Sequence, residues 1–107
     1  MQKEHDAQLR VATQIALLGM ITKSIRAISF DIEPEQHLVH FRVHFDGNQH
    51  EIEIENMSAV VTEIMAGFPW GWDIDEQVVT CKEPEIPEYL RLVGYVRCES
   101  PDFLPPA

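Results

Sequence analysis

The chain has 107 residues, 45% of them hydrophobic and no apolar run near the ~18 needed to cross a bilayer, so it reads as one soluble domain with its own core. Eighteen acids against eight bases leave a net charge of −10, which argues against nucleic acid or anionic lipid as a direct partner and for a basic protein. The excess is uneven: residues 1–30 carry Lys3, Arg10, Lys23 and Arg26 against Glu4 and Asp6, and the remaining 16 acids and four bases follow.

The opening "MQKEHDAQLR" is too polar for a secretory signal, which makes a cytoplasmic location the expectation. Residues 5–22 place Val11, Ile15, Leu18 and Met20 or Ile21 at helical spacing, with Ala12 and Ala16 alongside. The period then changes to two. Ile28, Phe30 and Ile32 alternate with Ala27, Ser29, Asp31 and Glu33. After a turn at Pro34-Glu35, Val39, Phe41, Val43 and Phe45 alternate with Leu38, His40, Arg42 and His44.

"DGN" at 46–48 is a hairpin signal, and beyond it Ile52 and Ile54 continue the inner face with Glu51, Glu53 and Glu55 outside. The reading is a three-stranded antiparallel meander with one wet face. A second helix is expected over about 57–66, capped by Asn56 or Ser58 and ended by Gly67 and Pro69. "PWGWDIDE" reads as a loop, "QVVTCK" as a strand, "EPEIPE" as an extended connection and "LRLVGYVRC" as the last strand; the tail 100–107 is expected to be loosely ordered. The expected class is α+β over a single domain, 1–107: an antiparallel sheet in α-β-β-β-α-β-β order with both helices on one face. Cys81 and Cys98 lack metal or redox spacing and are expected to be reduced.

Four of the five histidines lie in "HLVHFRVHFDGNQHEIEIE". His40 and His44, four apart on a strand, are separated by about 13 Å and cannot share one metal ion. In the expected meander His40 and Arg42 stand opposite Glu51, Glu53 or Glu55, with Asp31 or Ser29 across from His40 on the other side. Histidines so placed favour their protonated form. No nucleophile motif or phosphate loop is present, and no cofactor or metal is expected. Trp70 and Trp72 flank Gly71 and precede Asp73, Asp75 and Glu76, so both cannot easily turn inward. An exposed tryptophan with an acidic rim is the composition of a protein-binding anchor.

The segments "ALLGMITKSIRAISFDIE", "FRVHFDG" and "MSAVVTEIMAGFP" resemble a group of small acidic bacterial proteins similar to immunity proteins of contact-dependent growth inhibition and related polymorphic toxin systems. The resemblance runs from residue 16 to about 69 and rests on scaffold residues, so it carries no site onto the tryptophan loop. It implies a protein without chemistry of its own that binds and neutralises one cognate toxin domain, a nuclease whose phosphate-holding cleft is basic. On that reading the partner-binding residues are Glu51, Glu53, Glu55, Asp73, Asp75 and Glu76, with Trp70 and Trp72 as anchors, and the protein is a monomer or weak homodimer. Two rivals stand beside it. One is a binding module or regulatory subunit with another partner. The other is a small enzyme using Glu51 and Glu53, about 6.6 Å apart if both lie on one strand face.

Overall fold

Phe30 and Phe41 face each other across the two central strands, both buried. Around them the computed structural model describes residues 2–99. It consists of α1 (Gln2–Ala16), β1 (Ile25–Glu33), a 3₁₀ turn at Pro34–Gln36, β2 (Leu38–Phe45), α2 (Glu51–Ala66), β3 (Asp73–Thr80) and β4 (Leu92–Val96). The class is α+β, with two helices and a four-stranded mixed sheet in the order β3-β2-β1-β4.

The first hairpin follows the sequence pattern: β1 and β2 pair antiparallel with Ile32 opposite Val39, Ile28 opposite Val43 and Asp31 opposite His40. Alternation puts Ile28, Phe30, Ile32, Val39, Phe41 and Val43 on one face. There they form one core with Leu9 of α1 and Met57, Val60 and Ile64 of α2, each fully buried. Burial of a large aliphatic or aromatic side chain contributes about 1.5–3 kcal/mol, so this face dominates the stability of the fold.

The expected third strand at 50–55 does not form. Residues 51–66 are one helix, and the six-element order α-β-β-α-β-β replaces the seven-element one. The cause is local. His50 caps the helix, its backbone N–H donating to Glu53 Oε1 at 3.2 Å while its own side chain accepts from the Glu53 N–H. Such a reciprocal box satisfies two otherwise orphaned donors, and Glu51 and Glu53 in the first turn suit the helix dipole. The alternation of "EIEIE" is incidental: Ile52 is 60% exposed and Glu53 only 4%. Buried Glu53, Met57, Val60, Val61 and Ile64 trace a helical stripe.

With α2 as the crossover, β3 returns parallel to β2, in unbroken register from Leu38↔Asp73 to Phe45↔Thr80. The sheet is therefore mixed, not wholly antiparallel. β3 also begins at Asp73, inside the stretch expected to be a loop.

β3 and β4 lie at opposite edges, so residues 81–91 cross the face turned away from the helices. The face expected to be wet is thereby partly covered. Arg26 Nη1 donates to the carbonyls of Cys81 and Glu85 (2.8 and 2.7 Å), Arg42 Nη1 to that of Glu88 (2.8 Å), and the Leu90 N–H donates to Ser29 Oγ (2.9 Å). Arg26, Ser29 and His44 are buried beneath this strap. Arg26 also holds Glu99 through two short ion-pair hydrogen bonds, fastening the segment after β4 to β1. Both cysteines are free thiols, Cys81 buried and Cys98 exposed.

α1 turns a different face inward from the apolar stripe in its sequence. Leu9, Thr13, Ala16 and the following Leu17 are buried, whereas Val11, Ile15 and Leu18 are 57, 55 and 77% exposed. Gln8 Nε2, donating to the Gly67 carbonyl at 3.1 Å, ties the adjacent side of α1 to the end of α2. The helix also stops at Ala16, short of the expected Thr22, and Gly19 takes a left-handed φ of +77° in the turn that follows. Among the described residues, no helix is long and apolar enough to cross a membrane.

Candidate functional site

Between α2 and β3 the chain reverses through Phe68-Pro69-Trp70-Gly71-Trp72, with the Trp72 N–H donating to the Pro69 carbonyl at 3.3 Å. Gly71 has φ +97°, a conformation that side chains rarely tolerate. The two indoles accordingly leave the turn in opposite senses. Trp72 packs against the core, its ring centroid 5.0 Å from His37, 5.1 Å from Phe68 and 5.7 Å from His5. Trp70 is 100% exposed. Only one of the two expected anchors therefore presents its ring to solvent.

Directly after this turn β3 presents its acids. Asp73 is exposed, and its N–H donates to the His37 carbonyl at 2.9 Å, which fixes the start of the strand. Asp75 accepts from Gln77 Nε2 at 2.7 Å and faces His40 Nδ1 at 3.2 Å, while the other ring nitrogen of His40 meets Glu33 at 2.8 Å. Glu76 lies half-buried on the opposite, helix-side face. Trp70, Asp73 and Asp75 thus gather at one end of the sheet, joined by Glu33, which was not among the expected partner-binding residues. Its signal was available in part: Glu33 alternates in phase with Asp31, on the face of His40.

The hydrogen bond that His40 donates to Glu33 raises the pKa of His40, and Asp75 adds to it against the opposing effect of burial. The expected direction thus holds for His40, with other carboxylates responsible. Asp31 stands opposite His40 in the register but accepts from Arg91 Nε at 2.8 Å, and the same guanidinium holds Asp6. The Asp75 carboxyl is held low by Gln77 and then by His40. His44 departs from expectation: burial beneath the strap lowers its pKa, with Arg42 acting the same way. Its Nδ1 is buried and, among the described residues, has no hydrogen-bond partner, and its ring lies edge-on to Tyr89 at 6.0 Å.

The structure does not bring Glu51, Glu53 and Glu55 into this group. They sit in the first turns of α2, near the far end of β3, where Gln49 Nε2 donates to Thr80 Oγ1 at 2.6 Å. An eight-residue strand spans about 26 Å, so the expected acidic surface is two patches, one at each end of β3. Glu51 and Glu55 are exposed, but Glu53 is committed inward to the cap and to Thr22. Arg42 meets Gln77, at 2.6 Å, where a glutamate was expected. Residues two apart on a helix point to different sides, so Glu51 and Glu53 do not form the strand-face carboxylate pair that the enzyme reading requires. Among the described residues, no three His, Cys, Asp or Glu side chains converge as metal ligands would.

What the Trp70 end offers is one large exposed aromatic on a braced turn, beside carboxylates on a regular strand. That combination can fill a pocket and attract cations. A family model described as "MafI2 immunity protein" matches residues 6–99. No curated protein matches the chain.

Proposed function

The chain belongs to the MafI2 immunity protein family, and from that premise we propose that it neutralises a cognate toxin domain by binding it, with no reaction of its own. The partner is a basic nuclease domain, and the contact is made by the Trp70 end of the sheet. The observation that carries this reading is the fully exposed Trp70, on a turn whose other indole, Trp72, is packed against His37 and Phe68.

The backbone of the turn is already fixed by Gly71 and Trp72, so docking of the indole orders only its two side-chain torsions, and large aromatic anchors of this kind dominate the energetics of many interfaces. Asp73, Asp75 and Glu33 place negative charge at the same end of the sheet, while Glu51 and Glu55 extend the field from the other patch. A cleft that holds nucleic-acid phosphates is lined with Lys and Arg, and carboxylates on a stiff scaffold compete for those cations and accelerate encounter. Trp72 supports the site from behind, and Glu53 acts by holding α2 in place. The protein works in the cytoplasm of the cell that it protects, where an incoming nuclease would meet its substrate.

The experiment mixes the purified chain with the toxin domain encoded beside its gene and follows cleavage of tRNA, rRNA and DNA. Equimolar chain should abolish cleavage of whichever nucleic acid the toxin cuts. Undiminished cleavage in the presence of excess chain would overturn the proposal.

A further inference from the structure

The sheet ends on β3, whose outer side is open. The Asp73 N–H donates to the carbonyl of His37, the residue just before β2, and the Cys81 N–H to that of Phe45, the last residue of β2. In an extended strand the backbone polar groups of successive residues point to alternate sides. The register with β2 is unbroken throughout, so Ile74, Glu76, Val78 and Thr80 direct their N–H and C=O groups away from the sheet. Among the described residues no strand pairs with that side. The opposite edge is a poorer template, because β4 has five residues and slips register against β1 between Ile28 and Ser29.

We propose that the outer edge of β3 takes up an extended, cationic segment of the toxin, which joins the sheet as a fifth strand. The inference rests on the toxin-binding reading above and names how that binding is made. Charge selects the occupant. β3 reads "DIDEQVVT", three acids and no Lys or Arg. A second copy pairing edge to edge would bring three more carboxylates and no cation on the strand, so the acids act against self-association. The same acids favour a strand bearing Lys or Arg. The two faces of β3 also set the pattern of the incoming segment. Asp73 and Asp75 lie on the strap side with Ile74 and Val78 on the helix side, which calls for cationic side chains alternating with apolar ones. Trp70, three residues before the strand, stands at the entry to this edge.

The test is amide hydrogen exchange by NMR on ¹⁵N-labelled chain, free and in complex with the unlabelled toxin domain encoded beside it. The amides of Ile74, Glu76, Val78 and Thr80 should exchange at least ~10-fold more slowly in the complex, while those of Asp73, Asp75, Gln77 and Val79, already bonded to β2, change little. Val78→Pro removes one outward N–H without touching the β2 ladder and should weaken binding at least ~10-fold, whereas Val78→Ala should stay within about threefold. A complex in which the outward amides exchange as in the free chain overturns edge docking even if Val78→Pro also disturbs folding, and leaves the neutralising function standing. Absence of any complex overturns both.

Discussion

Trp72 lies against His37 with ring centroids 5.0 Å apart and planes 22° from parallel, while Trp70, two residues earlier, touches nothing that hides it from solvent. The pair separates folding from binding. Trp72→Ala removes a partly buried aromatic and should cost roughly 2 kcal/mol in urea unfolding, below the cost for a fully buried ring. Trp70→Ala should stay within about 0.5 kcal/mol, as surface substitutions usually do. Equal losses at the two positions would mean that the turn is braced differently.

Glu53 tests the reassigned segment. Glu53→Ala removes half of the capping box and the acceptor for Thr22, and should destabilise the protein by about 1–2 kcal/mol. Glu51→Ala, at an exposed position, should cost a few tenths of that. Burial alone would raise the Glu53 pKa; the hydrogen bonds from Thr22 and from the His50 backbone outweigh it and hold the carboxyl below its ordinary value. A depressed carboxyl contributes stability above its unfolded pKa and loses it as pH falls through the folded one. The wild type should therefore lose stability in acid more steeply than Glu53→Ala, a difference that urea titrations at stepped pH would measure.

The two strand histidines should titrate in opposite directions. His40, bonded to Glu33 and Asp75, should lie above the ordinary histidine value, and His44, buried beside Arg42, below it. A raised histidine contributes its stability below the unfolded pKa and loses it as pH rises through the folded one. The His40 contribution should therefore fade toward neutral and alkaline pH, and the same deprotonation leaves the Trp70 end more negative. Ring-proton shifts in a pH series distinguish the two, and Glu33→Gln should bring His40 back toward normal while leaving His44 unmoved.

α1 offers a comparison of its two faces. Leu9→Ala should cost about 2–5 kcal/mol, as truncations in a packed core do. Leu18→Gln should change stability by no more than about 0.5 kcal/mol, because Leu18 is largely in solvent. Thermal or urea unfolding of the two variants measures which face of the helix is inside.

Where the sequence misled, two patterns competed over the same residues. Alternation in β1 and β2 was reliable because strictly alternating apolar residues meet across the ladder, Phe30 on Phe41 and Ile28 on Val43. The same alternation at Ile52 and Ile54 was overridden by a cap that involves a histidine, an unusual N-cap side chain, and by the helical stripe from Glu53 to Ile64. That single misreading displaced the glutamate row and concealed the parallel pairing of β2 with β3. The strap over His44 depends on contacts from Arg26 and Arg42 to backbone carbonyls about 45 to 60 residues away, which no local pattern encodes. The acids of "WDIDE" were legible as a group because they are adjacent in the chain. Glu33 joins them only through the sheet.

The central claim is that fixed carboxylates around an exposed indole hold a cationic toxin domain. It is tested most directly by the salt dependence of the Kd between the chain and the toxin domain encoded beside it, for the wild type, Asp73→Asn/Asp75→Asn and Trp70→Ala. The wild-type Kd should rise steeply with salt and the double variant less steeply, while Trp70→Ala should dissociate at least ~10-fold faster with its association rate nearly unchanged. A wild-type Kd that is flat from low to high salt, together with a Trp70→Ala variant that binds as tightly as the wild type, would contradict the account.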